Sequence, residues 1–84
     1  MKPGELLAQI SAMVGEVSQM TGLEALKVRY LKEHNRRILR VTINREGGIS
    51  LDDCERFSKA LSRHLDDQDL IPEKYYLEVE SPGI

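Results

Sequence analysis

The sequence predicts an α+β fold, a two-layer αββαβ sandwich with two helices on one face of a three-stranded sheet. Three observations carry this. Two stretches, residues 3–20 and 51–65, repeat apolar residues at three- and four-residue steps, the period of an amphipathic helix. Three shorter stretches, around residues 26–31, 38–43 and 75–80, alternate in type with period two, the mark of strands with one buried face. At 84 residues the chain has surface enough to bury for one core, roughly 60–65% of what it exposes unfolded, so 1–84 reads as a single domain.

The first helix carries Leu6, Leu7, Ile10, Met13, Val14, Val17 and Met20 as its apolar stripe. Pro3 suits a first turn, where its missing N–H is no loss, and Thr21-Gly22 supplies the stop. Gly15 inside this pattern costs about 1 kcal/mol against Ala, and its missing side chain leaves room for close packing. From Glu24 the period becomes two, with Leu26, Val28 and Tyr30 expected inward and Lys27, Arg29 and Leu31 outward. Polar His34-Asn35-Arg36-Arg37 turns the chain. Leu39, Val41 and Ile43 then alternate with Ile38, Arg40 and Thr42, and the short connection makes the pair an antiparallel hairpin. Arg45-Glu46-Gly47-Gly48 ends it, the glycines being able to take positive φ.

Ser50 followed by Asp53 is a variant of the capping box, whose third helical position usually holds Glu or Gln. Asp52, Asp53 and Glu55 also sit where the helix dipole favours carboxylates. Leu51, Cys54, Phe57, Ser58, Leu61 and Leu65 form the expected inward stripe of the second helix, which ends near Leu65. Asp66-Asp67-Gln68-Asp69 reads as an acidic loop with Pro72 in its later part. The third strand sets Tyr75, Leu77 and Val79 against Tyr76, Glu78 and Glu80, and Ser81-Pro82-Gly83 is turn chemistry. A crossover through the second helix makes the third strand parallel to the second. The pattern leaves open whether it lies beside the second strand or the first.

Little here points to an enzyme. The single cysteine excludes an internal disulfide and a cysteine-based zinc site, and its place on the apolar stripe makes Cys54 a structural thiol. His34 in a turn and His64 near a helix end have nothing arranged around them and read as surface residues. The acidic loop lacks the glycine and distal glutamate of a calcium loop, and Gly47-Gly48 lacks the Gly-Lys-Ser/Thr ending of a phosphate loop. No catalytic residue, cofactor, metal or small-molecule substrate is expected. Nothing at Met1–Glu5 reads as a targeting signal, and no run approaches the roughly 20 apolar residues of a membrane span. A cytoplasmic protein without a membrane partner is the expectation.

Charge is unevenly distributed. The net −2 averages a balance of +6 between Lys27 and Arg45, −6 between Glu46 and Glu80, and −2 in the first 26 residues. Lys27, Arg29, Arg36, Arg37, Arg40 and Arg45 are therefore candidates for phosphate contacts, with Lys27, Arg29 and Arg40 on the open side of the sheet and Arg36 and Arg37 at the hairpin tip. The competing explanation is that any half-exposed sheet carries such charges to discourage edge pairing. Glu78 and Glu80 would quench them if the strand order allows. Aromatics are scarce, Tyr30 inward and only Tyr76 outward, which argues against single-strand base readout. Asp66, Asp67 and Asp69 are candidates for contact with a basic protein.

Leu39-Arg40-Val41-Thr42-Ile43-Asn44, Gly47-Gly48-Ile49-Ser50-Leu51-Asp52-Asp53-Cys54 and Tyr76-Leu77-Glu78-Val79-Glu80-Ser81-Pro82-Gly83, with Gly22 before the first strand, resemble the N-terminal domain of the ribosome maturation factor RimP family. The resemblance covers nearly the whole chain. It implies a non-enzymatic assembly factor of the cytoplasm that binds the immature small (30S) ribosomal subunit and assists its late maturation. It also implies an αββαβ domain distantly like a KH fold. The Gly-x-x-Gly loop with which KH domains grip nucleotides is absent here. Asn44 and Glu80 depart from the family pattern, which has Asp and Ser there. The family's C-terminal β-barrel is absent from these 84 residues. Two functions are thus expected from different classes. One is an assembly module whose basic hairpin docks on ribosomal RNA. The other is a protein-interaction domain that contacts ribosomal proteins or a partner domain without binding RNA.

Overall fold

A computed structural model describes residues 3–82, so Gly83 of the final turn lies outside the described residues. The elements are α1 (Pro3–Thr21), β1 (Glu24–Glu33), β2 (Arg36–Asn44), α2 (Leu51–Gln68) and β3 (Tyr75–Glu80). The sheet order is β1-β2-β3. β1 runs antiparallel to β2 and β3 runs parallel to it. β2 is therefore central and β3 lies beside it, which decides the order that periodicity left open. The helices touch each other, α1 lying against β1 and α2 against β3. The two-layer α+β sandwich is as expected.

α1 buries Leu6, Ile10, Val14 and Val17. The buried stripe is narrower than the sequence pattern, because Leu7 is 37% and Met20 66% exposed. Leu7 is turned about 100° from Leu6 around the helix axis and falls on the margin of the buried face. Met20 lies on the last turn, where its Sδ is 3.3 Å from His64 Nε2. Gly15 serves no close packing, since nothing lies within 4 Å of where its Cβ would be. The helix stops at Gly22, whose φ of 74° is left-handed backbone that glycine adopts without strain. Its N–H donates to the Ser18 carbonyl at 2.9 Å, and the Ser18 hydroxyl donates to the carbonyl of fully buried Leu23.

The hairpin turns on two residues, His34 and Asn35, with φ of 51° and 63°. Two successive positive φ values match the right-handed twist of the flanking strands. Arg36 and Arg37 consequently belong to the ladder, opposite Glu33 and Lys32, and not to the turn. A bulge between Ala25 and Lys27 breaks the period of β1. Ala25 faces Ile43 and Lys27 faces Thr42, leaving Leu26 without a partner and 47% exposed. The inward side chains of β1 are thus Ala25, Val28 and Tyr30, not Leu26.

α2 begins with the expected box. The Asp53 N–H donates to Ser50 Oγ at 3.2 Å, and the Ser50 N–H donates to Asp53 Oδ2 at 2.9 Å. Leu51 lies outside the inward stripe at 71% exposure, because the first helical residue points away from the sheet. Phe57, Leu61 and Leu65 form that stripe, with Ile71 beyond it. The helix also runs past Leu65. Asp66-Asp67-Gln68 is its last turn and Asp69 its left-handed cap with φ 46°, so the acidic segment is helical and not a loop. Nothing in Asp66–Gln68 breaks a helix, and the stop comes where Asp69 enters a conformation that Asp tolerates better than most residues. Phe57 and Leu61 meet Leu39, Val41 and Ile43 of β2 in the core. Each such side chain contributes about 1.5–3 kcal/mol by leaving water.

Candidate functional site

The helices cover the face of the sheet that carries Val28, Leu39, Val41 and Ile43. The opposite face is uncovered, and the register lays its side chains out in rows. Lys27, Thr42 and Glu80 form one row, and Arg29, Arg40 and Glu78 the next. Leu31, Ile38 and Tyr76 form an apolar row, and Glu33 faces Arg36 beside the turn. Ile38 is only 7% exposed although it stands on the uncovered face. Its neighbours Leu31 and Tyr76 shield it from both sides.

The six cations expected to meet phosphate divide into two groups. Arg40 is held between acids: Nε lies 3.1 Å from Glu78 Oε1 and Nη1 3.4 Å from Glu33 Oε2. Those hydrogen bonds, to Glu78 first, raise its pKa further. Arg37 Nε lies 2.9 Å from Glu73 Oε1, to which the Tyr30 hydroxyl also donates at 2.7 Å. Burial first, then this hydrogen bond and the charge of Glu73, push the Tyr30 hydroxyl up to about 12. Arg45 clamps the loop before α2, with Nη2 3.1 Å from Asp53 Oδ2 and Nε donating to the Gly48 carbonyl at 3.1 Å. Arg56 reaches the same carboxylate at 3.1 Å. The Ser50 backbone N–H, with smaller help from these arginines, holds the Asp53 carboxyl below its usual range.

Lys27, Arg29 and Arg36 make the second group, and no carboxylate pairs with them among the described residues. Lys32 shares this condition. Arg36 lies over the Tyr76 ring with its guanidinium carbon 5.3 Å from the centroid, and Lys74 Nζ is 5.7 Å from the same centroid. At this hairpin end a cleft of about 310 Å³ is lined by Lys32, Asn35, Arg36, Arg37, Lys74 and Tyr76, with Glu73 as its one acid. The sequence pattern does not single out Lys32, Lys74 or the Leu31-Ile38-Tyr76 row. The signal was three apolar residues at outward positions of three strands, which becomes a row only once the strand order is known.

Asp66, Asp67 and Asp69 lie elsewhere, on the last turn and cap of α2 in the helical layer. Asp66 and Asp67 border a shallow depression with Lys59, Ser62 and Arg63. None of the three carboxylates forms an ion pair among the described residues, and they add to the partial negative charge of the helix end. Cys54 is half-buried, and burial pushes its thiol up, away from the thiolate a nucleophile needs. No described helix is long and apolar enough to cross a membrane.

The chain matches the family model described as the RimP N-terminal domain over residues 13–84. It belongs to the RimP N-terminal domain family. The matched span takes in all three strands, α2 and both surfaces described above, and it leaves out only the first turns of α1. RimP membership carries a general role in ribosome maturation and a general association with the small ribosomal subunit. Against that background the RimP-type domain presents two charged surfaces on opposite layers, a cationic one on the sheet and an anionic one at the end of α2.

Proposed function

We propose that this domain is a non-enzymatic module of small-subunit maturation, acting in the cytoplasm, that docks its uncovered sheet face and hairpin end on ribosomal RNA. The supporting observation is the sorting of the cations. Arg37, Arg40 and Arg45 are engaged by Glu73, Glu78 with Glu33, and Asp53. Lys27, Arg29 and Arg36 have no such partner and share the uncovered face, while Lys32, also without one, lines the cleft at the hairpin end. A phosphate backbone supplies the missing anions, and each contact releases condensed counterions. In this reading Lys27, Arg29 and Arg36 meet phosphate, Arg37 and Arg40 hold the surface in shape, and Arg45 fixes the loop before α2.

Sedimentation with purified immature small subunits over a salt series tests the proposal. Binding should weaken with salt, and each cation removed should lower the log–log salt slope by about 0.7–0.9. Absence of binding at low salt, or binding indifferent to Lys27→Glu with Arg29→Glu, contradicts it.

The unpaired carboxylates of Asp66, Asp67 and Asp69 favour a second reading, a contact with a basic ribosomal protein or partner domain. Binding that survives ribonuclease and is lost on changing these three residues to Asn would replace the RNA reading with this one.

A further inference from the structure

We infer that the hairpin-end cleft holds one unpaired RNA nucleotide, its base stacked on Tyr76 and its phosphate among Lys32, Arg36 and Lys74. This rests on the RNA-docking reading and names the form of RNA that the site takes. Tyr76 is 42% exposed on the uncovered face, and it pairs in register with Ile38, which in turn pairs with Leu31. That row gives the ring a firm apolar backing, the arrangement of a stacking platform. Every base has a π-face, so such a platform accepts any nucleotide whose base is not already stacked in a duplex.

The cleft's charge fits the rest of a nucleotide. Of its four cations only Arg37 is engaged by Glu73, which also accepts from Tyr30. Lys32, Arg36 and Lys74 remain for phosphate. Arg36 and Lys74 rest on the ring at 5.3 and 5.7 Å, a contact that is weak at exposed sites and easily exchanged for a base on the ring and a phosphate at the cation. Asn35, held at the tip by the two-residue turn, adds an amide with both donor and acceptor for a base edge or a 2′-hydroxyl. A volume of about 310 Å³ stands at the small end of ligand sites and takes one nucleotide, not a helix. One ring reads the presence of an unpaired base and no sequence. The scarcity of aromatics therefore limits specificity without preventing capture.

Fluorescence anisotropy with the 84-residue chain and two labelled RNAs of equal length, one unstructured and one a fully paired hairpin, tests this. The unstructured RNA should bind about tenfold more tightly at low salt. Tyr76→Leu should abolish that preference and Tyr76→Phe should keep it, both variants retaining the wild-type circular dichroism. Arg29→Glu should weaken both RNAs and leave their ratio unchanged. Equal binding of the two RNAs, or a preference indifferent to Tyr76→Leu, overturns the inference while leaving RNA docking in place. Binding of neither RNA overturns both.

Discussion

Arg40 and Glu78 meet side by side on the uncovered face of the sheet, Nε to Oε1 at 3.1 Å, because β3 pairs in parallel with β2 and places them in register. Glu33 closes the other side of the guanidinium. The cation at the centre of the basic hairpin is thereby neutralised. Arg40→Gln joined with Glu78→Gln, which removes the pair without changing the net charge, should leave RNA affinity within about twofold, whereas Arg29→Gln, which removes an unpaired cation, should lower it several-fold. Anisotropy at one salt concentration compares the two. Equal losses would mean that pairing in the unbound domain does not decide which cations meet RNA.

Asp53 gives the fold an acid-sensitive joint. The Ser50 N–H, the Ser50 side chain, Arg45 and Arg56 all favour its ionised form and hold its carboxyl below the usual range. A depressed folded value contributes stability that is present above the ordinary carboxyl value, about 3.9, and is lost as pH falls through the folded one. Asp53→Asn should therefore melt below wild type at pH 7, and the gap should close as pH falls below about 4. Thermal unfolding followed by circular dichroism at a series of pH values checks this. A gap independent of pH would show that ionisation of Asp53 contributes nothing.

Tyr30 makes the opposite prediction at the alkaline end. Its hydroxyl is pushed up to about 12 by burial and by its hydrogen bond to Glu73. A raised value means that the neutral hydroxyl stabilises the fold below about pH 10 and that this is lost as pH rises towards 12. Titration of tyrosinate absorbance should show a late step near 12 that shrinks by one tyrosine in Tyr30→Phe, burial and Asp66 holding Tyr75 above its usual value in both proteins. Full ionisation of all tyrosines near 10 would mean that the Tyr30–Glu73 bond does not form.

Gly15 sits in the interior of α1 with open space where a side chain would go. Gly15→Ala should raise stability by about 1 kcal/mol, since alanine loses less backbone freedom and meets nothing. Urea denaturation measures it. A destabilised variant would place an unseen neighbour against that position.

The element order was legible because Leu39, Val41, Ile43, Leu77 and Val79 keep strict alternation, and because Ser50 with Asp53 marks a helix start whatever surrounds it. What period alone cannot register is a change of phase. The bulge at Leu26 costs one residue of alternation and turned an expected inward side chain outward. The end of α2 depended on Asp69 entering a left-handed conformation, not on a breaker in the sequence. The basic residues were visible as a run, but their sorting into paired and unpaired depended on β3 lying beside β2. The same placement turned Leu31, Ile38 and Tyr76 from scattered outward residues into a row.

In the proposed function the cations left without carboxylates hold the small subunit. The most direct measurement is the affinity for purified immature small subunits of two variants of equal charge change. One joins Lys27→Gln, Arg29→Gln and Arg36→Gln, and the other joins Arg37→Gln, Arg40→Gln and Arg45→Gln. A loss of about a hundredfold is expected for the first, with a salt slope lowered by about two, and a much smaller loss for the second. Equal losses, or a greater loss for the second, would contradict it.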